Sequence, residues 1–286
     1  MNAQFWIVQL FNGVSYGALL FLVGSGLSLI FGVMRIVNLS HGAYFLWGGY
    51  IALSVINATG SWALSLPVAA LAVAVIGLVM ERVFLRPLGF DPLRQVLLTV
   101  GFAFLFQQAA LDIWGGNNMD INPPAAFTQS IVIGGIYFPI YRAFMIAMAL
   151  LIGVALWLAL EKTRVGAAVR ATVDDAQMAR GVGIDTNRVS MFIFALGAFL
   201  AALGGVTGGA FLGIYPGLDF EMLPLAFAVV IIGGMGSLGG AAIGALLVGI
   251  ADNFGKALFP EVSYFTLYAP MVLILAVKPT GLFGRE

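Results

Sequence analysis

The chain reads as an all-α polytopic integral membrane protein, with about eight to nine transmembrane helices and a cytoplasmic loop that carries a coupling helix. Three observations predict this. Hydrophobic residues make up 61% of the 286 and charged residues only 9%, where a soluble domain carries roughly 25% charged residues. Mean hydropathy is +1.04, and long apolar runs recur from one end to the other. The remaining charge is concentrated in one island, Glu161 to Arg188, which holds Lys162, Arg164, Arg170, Arg180 and Arg188. Flanked by apolar runs, it reads as a surface that a soluble partner grips.

A bilayer core asks for about 20 apolar residues per helix. That ruler places spans near 6–33, 36–56, 62–80, 95–114, 143–160, 189–212, 222–239, 240–254 and 264–277. The first apolar run, Phe5 to Gly32, is longer than a signal-peptide core and has no basic residue before it, so it reads as an uncleaved span. Residues on either side of Gly239 read as two spans or as one interrupted span. Arg82, Arg86 and Arg94 crowd one loop and five basic residues crowd the island, while no Lys or Arg lies between Gln95 and Tyr141. By the positive-inside rule both basic loops are cytoplasmic, the stretch Gly115 to Tyr141 is external, and the N-terminus is outside. Lys278 and Arg285 place the C-terminus inside if the Gly239 region separates two spans. No low-complexity linker divides the chain, so 1–286 reads as a single transmembrane domain with its coupling loop at about 161–188.

Several function classes fall away. Thirteen basic residues balance 13 acidic ones, which leaves no basic surface for nucleic acid. Zero cysteines exclude disulfides, thiolate metal sites and a cysteine nucleophile. No paired carboxylate, nucleophile with base, or metal-ligand cluster supports an enzyme. The phosphate-loop pattern Gly-x-x-x-x-Gly-Lys-Ser/Thr is missing too, so ATP with its Mg would be used by other polypeptides and this chain would bind no cofactor. Asp112, Asp252 and Lys256 lie at or near span ends, where water lowers the cost of charge, and read as interfacial rather than as a proton relay.

Three segments stand out. The run Gly26-Leu-Ser-Leu-Ile-Phe-Gly32-Val-Met-Arg35-Ile-Val-Asn38-Leu-Ser40-His41-Gly42 puts Arg, Asn and the only His of the chain at a junction of spans. Polar groups at that depth face a cavity, a partner or the protein interior. Asn38, Ser40, His41 and Gly42 are therefore candidates for the substrate path, with a purely structural helix-turn role as the alternative. In the island, Arg164, Gly166, Arg170, Ala171, Asp174, Asp175, Ala179, Gly183 and Asp185 are candidates for coupling. Val165, Val169, Val173 and Ala176 recur at helical spacing, and the opposite face carries Arg170, Asp174 and Gln177. A short amphipathic helix of this kind suits the groove of an ATPase; a solvated loop, or a loop on anionic lipid, are the alternatives. Gly233, Gly234, Gly236, Ser237, Gly239 and Gly240 read as a broken helix or gate, or as tight helix packing. Small residues at every fourth position, Gly197, Ala201, Gly205, Gly209 and Gly213, then Gly236, Gly240 and Gly244, form seams for packing within the chain or against a second subunit.

Together these motifs resemble the permease subunits of branched-chain amino-acid ABC importers, specifically the H-type subunit. There a Gly-Leu-x-Leu-Ile-Phe-Gly-Val segment leads into Asn-x-x-His-Gly. The likeness continues at Glu81-Arg82-Val-Phe-Leu-Arg86-Pro87-Leu88, Thr99-Val-Gly101, Trp114-Gly115 and Gly233-Gly-Met-Gly-Ser237-Leu-Gly-Gly240. It ends at Pro279-Thr-Gly281-Leu-Phe-Gly284, and so covers essentially the whole chain. Ser40 and Gly49 stand where Ala is usual. The resemblance implies a permease in the bacterial cytoplasmic (inner) membrane, working with a second related permease, two cytoplasmic ATPases and a periplasmic binding protein, amid membrane lipid. The cargo it implies is branched-chain amino acids; the same family includes urea and short-amide permeases. An ion-coupled secondary transporter is the rival from a different class.

Overall fold

Within a bilayer every backbone polar group must be satisfied internally, so a chain of this composition is restricted to helices where it crosses. The computed structural model describes residues 3–89 and 91–284. Its helices are α1 (Ala3–Met34), α2 (His41–Thr59), α3 (Trp62–Val79), α4 (Pro92–Trp114), α5 (Ile140–Lys162), α6 (Arg164–Asp174), α7 (Ala176–Gly181), α8 (Thr186–Leu212), α9 (Leu218–Gly233), α10 (Leu238–Leu258) and α11 (Ser263–Val277). Among the described residues, six helices are long and apolar enough to cross a membrane: α1, α3 with its extension to Leu88, α4, α5, α8 and α10. Helices α2, α9 and α11 are shorter or more polar and pack among them.

Three details differ from the sequence reading. Residues 36–40, expected inside a span, are not helical. Helix α1 stops where Arg35 takes φ 55, and the Asn38 side chain then accepts bonds from the Ser40 amide (3.1 Å) and hydroxyl (2.7 Å), a local turn that competes with helix. The interruption near Gly239 falls at 234–237, because Gly234 and Gly236 adopt φ 99 and 81 and Ser237 caps α10 by accepting from the Gly240 amide. Finally, the stretch from Gly115 to Tyr141 contains an antiparallel hairpin, β1 (Ser130–Ile133) with β2 (Ile136–Pro139). Its turn is Gly134-Gly135, both at positive φ, the backbone a two-residue hairpin requires.

Helix α1 is the axis of the bundle, with α8 and α10 packed along it and α2, α3, α5 and α9 around them. Glycines set these distances. A Cβ on Gly17 would meet the Ala245 carbonyl, one on Gly48 would meet the Ala202 backbone, and one on Gly205 would collide with the Phe45 carbonyl. The seam from Gly197 to Gly213 is thus spent inside the subunit: Gly197 faces Gly26 and Ile30, and Gly209 faces Ile214 and Ile121.

One end of the bundle gathers the basic loops. Arg86 donates to the Asn187 carbonyl at 3.2 Å, joining the end of α3 to the start of α8 beside the island. The tail returns to the same end, where the Leu282 and Phe283 amides donate to the Ile232 and Gly233 carbonyls at 2.9 and 3.0 Å. Lys278 is therefore on the basic side; Arg285 lies outside the described residues. At the opposite end Met119 pairs with Ile214, tying the hairpin region to the α8–α9 turn.

Candidate functional site: coupling end and buried break

The island forms two short helices rather than one. Helix α6 folds back over the end of α5, and glycine makes that possible: a Cβ on Gly166 would collide with the carbonyls of Ala159 and Leu160. Thr163 begins α6 by accepting from the Gly166 amide at 3.0 Å and donates its hydroxyl to the Ala159 carbonyl. Arg170 donates to the Leu160 carbonyl and stands 3.7 Å from Glu161. The last carbonyls of α5, which have no partner within their own helix, are thus taken up by the island.

Asp175 separates the two helices. Its carboxylate accepts from the Met178 and Gln177 amides at 2.9 and 2.8 Å, and those two bonds hold its pKa below the ordinary carboxylate value. Its own amide donates to Ala171, and Asp174 is the exposed last residue of α6. Gly183, at φ 90, ends α7, with the Ile184 amide reaching the buried Ala179 at 2.9 Å. Asp185 caps α8 through the Arg188 amide and pairs with Arg188 at 2.9 Å. Arg164, the first residue of α6, is exposed.

The apolar face expected on one helix is divided by the Asp175 break. Val169 is buried in a cluster with Leu29 and Val33 of α1, Leu156 of α5, and Ile193 and Leu200 of α8; Leu238, the first residue of α10, packs against the same cluster. Val165, expected on that face, is 54% exposed, and Met178 and Val182 are 69% and 73% exposed. Met178 and Val182 escape the sequence reading; their i, i+4 spacing is the available signal.

The glycine corner lies across that cluster. Gly233 and Gly240 meet so closely that a Cβ on either would collide with the carbonyl of the other, and Gly236 abuts Gly32 of α1. Ser28 of α1 donates to the Ser237 carbonyl at 3.4 Å. Gly234 packs on Gly284 of the tail, so the closing Pro-Thr-Gly-Leu-Phe-Gly run caps α9. Gly239 is apart from this seam: it sits in the first turn of α10, exposed, and a Cβ added there would meet nothing within 4 Å.

Asn38, Ser40 and His41 form a separate site, fully buried where α2 begins. The six residues 35–40 can climb as much as ~20 Å, which sets the His41 ring beside α1 at Val23. The His41 Nε2 donates to the Val23 carbonyl at 3.0 Å, which places the proton on Nε2. Among the described residues, His41 Nδ1 and Asn38 Nδ2 have no partner. Tyr44 donates its hydroxyl to Met80 Sδ at 2.8 Å, and Thr99 accepts from the Leu39 amide at 3.3 Å. A Cβ on Gly42 would collide with the Asp219 carbonyl at the start of α9. Asn38 to Gly42 thus come together with each other, but not with the island.

Two further ion pairs frame the bundle. Arg86 grips the buried Glu81 through two bonds, 2.9 and 3.3 Å, and so anchors the start of α8. Asp252 pairs with Lys256 at 2.7 Å, and Asp112 accepts from Gln108 at 2.9 Å.

Among the described residues no group of His, Asp and Glu side chains is placed to hold a metal ion, and comparison with known proteins points to a transport role. The profile of the family described as branched-chain amino acid transport system / permease component matches residues 9–275. The chain belongs to this permease family. The high-affinity branched-chain amino acid transport system permease protein LivH of Escherichia coli (strain K12) is 32% identical to it over 306 residues, covering 100% of this chain and 98% of that protein. The corresponding BraD of Pseudomonas aeruginosa is 30% identical over 297 residues, covering 98% and 96%. LivM of Escherichia coli (strain K12) is 27% identical over 289 residues, covering 91% of this permease and 67% of LivM. The permease is the transmembrane, non-catalytic component of an ABC transporter, and it is a multi-pass membrane protein.

Proposed function

We propose that this permease moves branched-chain, hydrophobic amino acids across the cytoplasmic membrane as one of two related permease subunits, driven by two cytoplasmic ATPases and supplied by a periplasmic binding protein. The full-length likeness to LivH and BraD supports the cargo, and the likeness to LivM supports a related but distinct second permease.

The observation that carries the mechanism is the position of the island. Helices α6 and α7 present Met178 and Val182 outward while Val169 sits in the cluster that also receives α10. Apolar knobs with a charged rim are what a groove on an ATPase would take. ATP-driven closure of the ATPase pair pushes the island; Val169 passes the displacement to α1, α8 and the Gly233–Gly240 corner; and the path between the two permeases changes the side to which it opens. In this reading Arg164, Gly166, Arg170, Ala171, Asp174, Asp175, Ala179, Gly183 and Asp185 shape and orient the docking element. Gly233, Gly234, Gly236, Ser237 and Gly240 form the corner that moves. Asn38, Ser40, His41 and Gly42 govern the path from the break between α1 and α2, where His41 Nδ1 and Asn38 Nδ2 keep hydrogen-bonding capacity in reserve.

The test is uptake of labelled leucine and, in parallel, urea into vesicles holding the whole transporter, with and without internal ATP. Leucine uptake that requires ATP and survives an uncoupler is the expected result. Urea uptake alone would change the cargo, and uptake that ignores ATP but collapses with the ion gradient would overturn the mechanism.

A further inference from the structure

Helices α5 and α10 both pack on α1, and between them remains a groove of about 360 Å³ whose rim is formed by the exposed Leu150, Val154 and Leu246. Its floor is Gly17 and Phe21 of α1, its walls are Gly153 and Trp157 of α5 and Ala242 and Leu246 of α10, and its lining is apolar throughout. Small residues line it at Ala18, Gly153 and Ala242, whereas Gly17 is close-packed on α10, where a Cβ would meet the Ala245 carbonyl. None of these residues belongs to the island, the corner or the break.

The groove is asymmetric in charge. Trp157, half-exposed, lies at the end nearest the basic loops. Lys162 follows five residues later, about 7.5 Å along the helix, with its Nζ 5.8 Å over the Trp157 ring. Arg164 starts α6 just beyond. Among the described residues neither Lys162 nor Arg164 belongs to a salt bridge, because the adjacent Glu161 is directed at Arg170. A Trp with two cations beside it, at the end of a slot lined by apolar side chains, matches one kind of molecule from end to end.

We propose that this groove is a binding site for an anionic phospholipid of the cytoplasmic leaflet, its acyl chain lying on Phe21 and Gly153 and its phosphate met by Lys162 and Arg164. A helix from a second subunit would fill the apolar slot equally well but would leave both cations without a counter-charge. The lipid would bridge α5 to α10 directly beside the coupling element.

Native mass spectrometry of the purified transporter, exchanged into phosphatidylglycerol or phosphatidylcholine, tests this. Ala242 is exposed, so Ala242→Phe fills the groove without removing a core contact; it should abolish retention of one phosphatidylglycerol per permease while the complex stays intact. Replacing Lys162 or Arg164 by Ala should each weaken the preference for phosphatidylglycerol over phosphatidylcholine about fivefold. Retention unchanged by Ala242→Phe, or equal retention of the two lipids by the parent, would overturn the proposal. So would a disulfide formed, on addition of a mild thiol oxidant, between Ala242→Cys and a cysteine introduced on a helix of the second permease, a readout free of background from this chain because it has no native cysteine.

Discussion

Gly166 decides the coupling element more than any charged residue of the island. Its missing side chain lets α6 cross the end of α5, and Gly166→Ala places a methyl into the Ala159 and Leu160 carbonyls. Overpacking of this kind costs about 1–3 kcal/mol. The expected outcome is a permease that still inserts but whose island becomes sensitive to proteolysis and whose ATP-driven uptake falls. Asp175 makes a pH prediction. Its pKa is lowered in the folded state, so the contribution of its cap is present above the ordinary carboxylate value and is lost as pH falls through the lowered value. ATPase attachment should accordingly survive mild acid and weaken only below the usual carboxylate range, while Asp175→Asn, an equally good cap, should flatten that dependence. His41 is the third case. His41→Ala removes the bond to Val23, and if the break governs the path, uptake should fall more than assembly; loss of the folded complex would assign His41 a structural role. The sequence could single out His41 as the one histidine and Gly166 as part of a motif. It could not show the carbonyls that each one faces, because those come from α1 and α5 and are set by packing.

At the scale of elements, the long apolar helices are legible in the sequence and their interruptions only in part. Hydropathy marks α1, α3, α4, α5, α8 and α10 because each contains an apolar stretch long enough to cross a bilayer. The junction between α1 and α2 is legible near Arg35, but its extent is hidden: Ile36 and Val37 continue the apolar run, whereas the turn built on Asn38 keeps 36–40 out of α2. The corner at 234–237 is visible as glycine but falls short of Gly239, because composition does not say which glycine takes positive φ. The island reads as one amphipathic helix, whereas the Asp175 cap divides it and turns Met178 and Val182 outward. Met178→Asp with Val182→Asp should abolish co-purification of the ATPases without changing the amount of permease in the membrane. Both side chains are more than two-thirds exposed, so folding supplies no competing explanation.

At the scale of the whole molecule, the basic end carries every part of the proposed coupling element. Arg86 binds α3 to the start of α8, Val169 binds the island to α1, α5 and α8, and the tail binds the end of α9. In the proposed mechanism a motion imposed on the island has a continuous packed route to α10 at Leu238. The alignments with LivH and BraD cover 100% and 98% of this chain, so the likeness takes in all three of the segments assigned roles under the proposed function.

The most direct measurement is ATP-driven leucine uptake by the assembled transporter carrying Arg170→Glu, with membrane content of the permease determined in parallel. Arg170 fastens α6 to the Leu160 carbonyl beside Glu161, and a carboxylate there would face both acceptors and repel them. The account predicts normal insertion with uptake abolished. Normal uptake would contradict it and remove the island from the coupling path.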